Sequence, residues 1–203
     1  MRILILDTET TGIASTDEVL ELAYITIDNN FITQQTFVAK YRPSVPINPH
    51  AQAVHGIEFK DLLSYPLSRT IDLGQEKIDF IIGHNISFDK RMLIQSNKGL
   101  ESILEEAKYI DTMALAKLIT KSTGVKFLNN KLDTLVEHYY PTASSGLIEL
   151  QNNSKYHDAL TDCRKVNIVL NAVRNVFPAL TTVESMYEFL ESVAPKNKTK
   201  KEG

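Results

Sequence analysis

Asp7 and Glu9 stand two residues apart at the end of the apolar run Ile3–Leu6. In an extended strand that spacing sends both carboxylates to one face. Two acids side by side repel, so a proton, a basic partner or divalent cations must hold them. Hard cations such as Mg²⁺ favour oxygen ligands and keep waters for a substrate phosphate. The pair alone decides little. With each residue type near about one in twenty, Asp-x-Glu arises by chance in roughly half of chains this long, and a polar strand end explains it as well.

A second cluster is Gly83-His84-Asn85-Ile86-Ser87-Phe88-Asp89, where another apolar run gives way to polar residues before a helix. Strand ends of this kind are the usual place for catalytic groups in α/β proteins. Asp89 suits a third metal ligand, or a helix-start acid favoured by the helix dipole. His84 and Asn85 read as structural hydrogen-bonders, because no second histidine is spaced to join them.

The third cluster is His157-Asp158-Ala159-Leu160-Thr161-Asp162. Asp162 lies next to an apolar stripe and can face the sheet, while Asp158 is expected to face solvent. His157 sits at the helix entry, where the backbone can swing its ring over the same site, and Ala159 keeps the first turn thin. A histidine titrating near pKa 6.5 suits a general base at neutral pH, or simply a surface residue at a helix start.

Together the clusters say more than any one of them. Four carboxylates can bind two divalent ions that activate water on one side of a phosphodiester and stabilise the leaving oxygen on the other. No serine or thiol nucleophile with a neighbouring base competes, and no glycine-rich phosphate loop is present.

These residues need a frame. Ile3–Leu6 and Ile78–Gly83 read as buried strands, and Val19–Ile27 and Gln34–Tyr41 as a hairpin around Asp28-Asn29-Asn30. A proline-punctuated loop through Pro43, Pro46 and Pro49 follows, with short helices expected near Glu58–Leu63 and Ile71–Lys77. A helix is expected over Ser87–Ser96, then a short strand at Lys108–Ile110, a helix from Thr112 and another over Lys131–Tyr139. Tyr140–Ser154 reads as a surface loop. Cys163, Val166, Leu170, Val173 and Phe177 mark one stripe of a long helix, and a last helix covers Thr182–Val193. Hairpin first, then alternating strands and helices, predicts an α/β domain with a mixed sheet flanked by helices over residues 1–194. Residues 195–203 read as a basic, disordered tail.

The 203 residues suit one domain, and 43% hydrophobic with 23% charged residues is ordinary for a globular protein. A net charge of −3 argues against nucleic-acid binding by bulk electrostatics, though not against an enzyme gripping a few phosphates. Lys117, Lys121, Lys126 and Lys131 read as a solvated face. The single cysteine, Cys163, excludes an intrachain disulfide and a cysteine-rich zinc site, and fits a cytoplasmic protein. Ile3–Leu6 is too short for a signal peptide or a membrane span, so no membrane partner is expected.

Asp7-Thr8-Glu9-Thr10-Thr11-Gly12, His84-Asn85-x-x-Phe88-Asp89 and His157-x-Ala159-Leu160-x-Asp162 resemble the three motifs of the DEDD exonuclease superfamily. The histidine at 157 places the pattern in its DEDDh, DnaQ-like branch, and within it the chain is most similar to the bacterial exonuclease X group. The resemblance covers roughly residues 1–177. It implies a ribonuclease-H-like fold with five strands, and two Mg²⁺ or Mn²⁺ ions on Asp7, Glu9, Asp89 and Asp162. It further implies His157 as general base and nucleoside 5′-monophosphates released from 3′ ends. Thr10, Gly12, Ile13, His55, Asn85 and Phe88 match positions that could line the terminal nucleotide, with Ile13 a candidate wedge against the last base. DNA is the expected partner over RNA; an RNA-directed enzyme and an inactive binding module are the alternatives. A homodimer is compatible with the resemblance, although no patch in the sequence marks an interface.

Overall fold

The computed structural model describes residues 1–139 and 157–193. The opening apolar run forms β1 (Ile3–Thr10), which extends past its apolar part through Asp7 and Glu9. It lies at the centre of a five-stranded sheet ordered β3-β2-β1-β4-β5. β2 (Val19–Ile27) and β3 (Thr33–Lys40) add antiparallel strands on one side. Their connection is fixed by Asp28, whose carboxylate accepts from the Asn30 and Ile32 amides at 2.8 and 3.0 Å. β4 (Phe80–Gly83) and β5 (Lys108–Asp111) run parallel to β1 on the other side. The mixed sheet expected from the sequence is the one observed.

Alternation along β1 divides the core in two. Ile3 and Ile5 join Ala23, Ile25, Phe80 and Ile82 on one face. That face is covered by α4 (Thr112–Thr123), α5 (Leu132–Tyr139), α6 (Ala159–Val176) and α7 (Val183–Val193). Leu4 and Leu6 join Leu22 and Ile81 on the other, beneath α2 (Ile86–Ser96) and α3 (Glu101–Glu106). Each such side chain, fully buried, contributes roughly 1.5–3 kcal/mol. The two layers therefore pin β1 from both sides, and its odd-numbered residues must face α6.

Several elements depart from the sequence reading. The proline-punctuated loop contains a helix, α1 (Pro49–His55), with Pro49 in its first turn. The Asn48 side chain caps it by accepting from the His50 amide at 2.8 Å, worth about 1 kcal/mol. The helix expected at Ile71–Lys77 is absent: the segment is irregular, with Ile71 and Leu73 buried and Gly74 at φ +81°. Its Leu73 and Glu76 carbonyls accept from the Arg2 guanidinium instead of from a helical turn. The helix near Glu58–Leu63 shrinks to one 3-10 turn, Phe59–Leu62. α3 was not expected at all. Phe177, read as the end of the apolar stripe, has left the helix and closes it at φ −117° and ψ 94°. The loop read at Tyr140–Ser154 and the basic tail lie outside the described residues. Among the described residues, no helix is long and apolar enough to cross a membrane.

Candidate active site

The site forms at the carboxyl end of β1, where a parallel neighbour on one side meets an antiparallel one on the other. β1 and β2 shift register between Glu9 and Thr10, so the pairing is irregular where the acids emerge. Asp7 and Glu9 point toward α6, as their odd positions require. Asp162, in the first turn of α6, points back. One carboxylate oxygen from each of the three lies within 4.8 Å of the others.

Asp89 comes from the opposite layer. It sits in the first turn of α2, 3% exposed. Thr8, the even-numbered residue between the two acids of β1, faces it. The Thr8 amide and hydroxyl both donate to Asp89 Oδ1, at 2.9 and 2.7 Å. Asp89 is therefore anchored to the strand that carries Asp7 and Glu9; it is not one of the three acids within 4.8 Å of one another, yet of all the acids its charge acts most strongly on Asp7. Gly83 permits the close approach of α2 to β1, since a Cβ there would lie 2.6 Å from Ile86 Cδ1 and 2.9 Å from the Leu6 carbonyl.

Burial pushes the Asp7 carboxyl well above its usual range, and the charges of Asp89, Asp162 and Glu9 push it further. Burial likewise raises Glu9 to about 8, with Asp162 adding to it and His157 opposing. Asp89 is raised to about 7 by burial, against the pull of the Thr8 hydrogen bonds. Asp162 differs. Burial would raise it, but hydrogen bonds from His157 and Lys165 outweigh that and hold it below the ordinary value. Crowded oxygen donors that resist ionising suit a hard divalent cation, whose charge would favour their ionised forms.

His157 is half exposed, and its Nδ1 stands 3.1 Å from Asp162 Oδ2. That hydrogen bond raises its pKa, although partial burial works the other way. The His157 amide donates to the Val54 carbonyl at 3.1 Å, so the unexpected α1 supports the segment that carries the ring. Lys165 binds Asp162 Oδ1 at 2.9 Å and Asp133 on α5 at 2.7 Å. Asp158 is not a free surface acid: it caps α6 by accepting from the Thr161 amide at 2.9 Å.

The remaining candidates come from three places: the end of β1 with its loop, the start of α2 and the end of α1. Thr10 and Gly12 shape the loop after β1, where the Thr10 hydroxyl donates to the Gly12 carbonyl at 2.8 Å. A Cβ on Gly12 would meet Asp17 Oδ2 at 2.5 Å, so a larger residue would push the Asp17 carboxylate off the Thr11 hydroxyl and the Ala14 amide. The loop presents Ile13 to solvent, 80% exposed, while Arg91 on α2 donates to its carbonyl at 3.3 Å. Phe88 is partly buried beneath the Arg91 guanidinium. Asn85 adopts a left-handed conformation at φ 62° with its side chain exposed and making no capping bond, so only its neighbour fits the structural reading. That neighbour, His84, binds the Thr112 hydroxyl at 2.9 Å. His55 is buried, its Nδ1 accepting from the Ile57 amide at 3.0 Å. The Thr10 backbone adjoins its ring, although Nε2 completes no regular hydrogen bond.

Sequence reasoning missed Thr8, Lys165 and Glu21, a 5% exposed carboxylate on β2 opposite Glu9. It also missed a cleft of about 610 Å³ between the Ile13 loop and α2, which Lys90, Arg91 and Lys98 help to line. The signal for Thr8 was its place between two same-face acids. The others depend on contacts between distant segments.

This sheet order, with helices on both faces and acids gathered at the end of the central strand, is a ribonuclease-H-like fold. The chain belongs to the exonuclease (RNase_T) family, whose model matches residues 4–170. The DNA polymerase III epsilon subunit of Buchnera aphidicola is 32% identical over 153 residues, spanning 68% of this chain and 61% of that protein. Exodeoxyribonuclease 10 of Escherichia coli is 27% identical over 160 residues, covering 78% of this chain and 62% of the relative. The chain thus spans about three-fifths of the length of these two relatives. A solved structure of exonuclease X in complex with 5′-overhanging duplex DNA superposes with a TM-score of 0.69 at 22% identity, covering 93% of this chain and 99% of that one. The DnaQ-like resemblance read from the motifs is thereby borne out.

Proposed function

We propose that this exonuclease removes nucleotides from DNA 3′ ends by metal-dependent hydrolysis, releasing nucleoside 5′-monophosphates, and serves DNA repair or processing. The observation that carries the reading is the convergence of Asp7, Glu9 and Asp162 within 4.8 Å, with His157 on Asp162. Asp7, Glu9, Asp89 and Asp162 would hold two Mg²⁺ or Mn²⁺ ions. When bound, such ions polarise the scissile phosphodiester, make water a better nucleophile and offset charge on the leaving oxygen.

The chain's own residues supply the rest. Thr8 fixes Asp89 against β1, and Lys165 orients Asp162 from the side of α5. His157 turns Nδ1 to Asp162, which leaves Nε2 to take the proton of the attacking water. The water oxygen bonds to phosphorus, the bond from phosphorus to the 3′ oxygen breaks, and that oxygen takes a proton from solvent to become the new 3′ hydroxyl of the shortened strand. The exposed Ile13 offers an apolar face to the last base, and Arg91 and Lys98 offer positive charge to a phosphate backbone, while Lys90 is paired with Glu105 at 3.0 Å.

The test is digestion of matched 5′-labelled single-stranded DNA and RNA with Mg²⁺, with Asp7→Ala as control. A DNA ladder that shortens from the 3′ end, absent in the variant and stopped by EDTA, is the expected result. A ladder on RNA alone would move the substrate to RNA. Retention of uncut strand without cleavage would make the chain a binding module.

A further inference from the structure

Glu21 contributes no oxygen to the three-acid cluster, yet it is a carboxylate held almost wholly inside the protein beside it. A buried carboxylate is costly unless its oxygens are engaged. Both are: Oε1 accepts from the Ala159 amide at 3.2 Å, and Oε2 stands 3.6 Å from Lys40 Nζ. Ala159 is the first residue of α6 and fully buried. One turn later, Cys163 Sγ donates to the Ala23 carbonyl at 3.5 Å. The first turn of α6 is therefore tied to β2 at two points, two residues apart on the strand.

Those strand positions are not arbitrary. Glu21 pairs with Glu9 and Ala23 pairs with Asp7 across the β1–β2 ladder. The tether thus joins the segment bearing Asp162 to the partner strand of the other two acids, at the level where all three must meet.

We propose that Glu21 is a positioning residue for the metal site: its hydrogen bond to the α6 amino terminus sets where Asp162 and His157 stand relative to Asp7 and Glu9. It acts through an acceptor oxygen and not through its charge. The inference deepens the nuclease reading above and rests on it for activity, while metal binding tests it separately.

The experiment compares Glu21→Ala, Glu21→Gln and Lys40→Met in the full chain, measuring kcat and KM on single-stranded DNA and Mn²⁺ binding by electron paramagnetic resonance. A misplacement near 1 Å lowers kcat on the order of 10²-fold, so Glu21→Ala should show a loss approaching that, weaker Mn²⁺ binding and little change in KM. Glu21→Gln keeps the acceptor and should hold kcat within about threefold, a charged hydrogen bond having become neutral. Lys40→Met removes the cation beside Oε2 while leaving the Ala159 amide bonded to Oε1, and should hold kcat and Mn²⁺ affinity close to wild type. Glu21→Leu, which fills the space without an acceptor, serves if Glu21→Ala does not fold.

Equal losses in Glu21→Gln and Glu21→Ala would overturn the proposal in favour of a charge role. Wild-type kcat and Mn²⁺ affinity in Glu21→Ala would overturn it as well, and so would a loss in Lys40→Met equal to that in Glu21→Ala. If wild-type protein cuts no nucleic acid, the nuclease reading fails, and the order of Mn²⁺ affinities alone decides the tether.

Discussion

His157 Nδ1 stands 3.1 Å from Asp162 Oδ2, so the candidate base is oriented by one of the acids that would bind metal. This contact raises the pKa of His157, and only its neutral form can accept a proton. Activity should therefore climb with pH through a midpoint above the ordinary histidine value when Mg²⁺ is scarce. Raising Mg²⁺ draws the Asp162 carboxylate toward the ions and should move the midpoint down. His157→Ala should cost on the order of 10²–10⁴-fold in kcat and lose the slope. A flat acid-to-neutral profile in the wild type would count against the assignment.

The same acids should make the metal-free protein least stable where it would work. Glu9 at about 8 and Asp89 at about 7 bind protons in the folded state that the unfolded chain has already released. Folding then takes up protons between the ordinary carboxylate range and about pH 8, so stability falls as pH rises across that window. In EDTA the melting temperature should drop from pH 5 to pH 8, by about 2–4 °C for each kcal/mol lost. Mn²⁺ should restore it, and more strongly at pH 8. A melting temperature independent of pH in EDTA would show that the acids are not held in this way.

Asp7→Asn should separate function from fold most cleanly. Asp7 is raised by burial and by four neighbouring acids, Asp89, Asp162, Glu9 and Glu21, so removing its charge relieves repulsion. Turnover should become undetectable in a standard assay while the metal-free melting temperature holds or rises. Calorimetry and a nucleotide-release assay on one preparation check both halves. Wild-type turnover in this variant would remove Asp7 from the metal set.

The five motif residues were legible because each follows a local rule. Asp7 and Glu9 share a strand face, Asp89 opens a helix after a strand, and His157 and Asp162 begin a helix with a clear stripe. Glu21 was not legible, since an acid in Val19–Ile27 reads as an outward residue of a half-buried strand. Only the packing of α6, more than a hundred residues on, buries it. The α1 helix was hidden by Pro43, Pro46 and Pro49, although Asn48-Pro49 is a cap followed by a tolerated proline. The stretch Ile71–Lys77 misled in the opposite way: its helix is replaced by bonds to Arg2, a partner that local pattern cannot supply.

Ile13 offers a prediction about substrate form. It is 80% exposed at the tip of a loop braced by Asp17, Arg91 and Gln95. A large apolar side chain left in water gains by covering a base, and full burial of such a group is worth roughly 1.5–3 kcal/mol. Ile13→Ala should therefore raise KM by up to about tenfold, since a base covers only part of it. If Ile13 parts the terminal pair, blunt duplex ends should suffer more than single strands, with kcat on single strands preserved. Equal KM values for variant and wild type on both substrates would return Ile13 to ordinary loop surface.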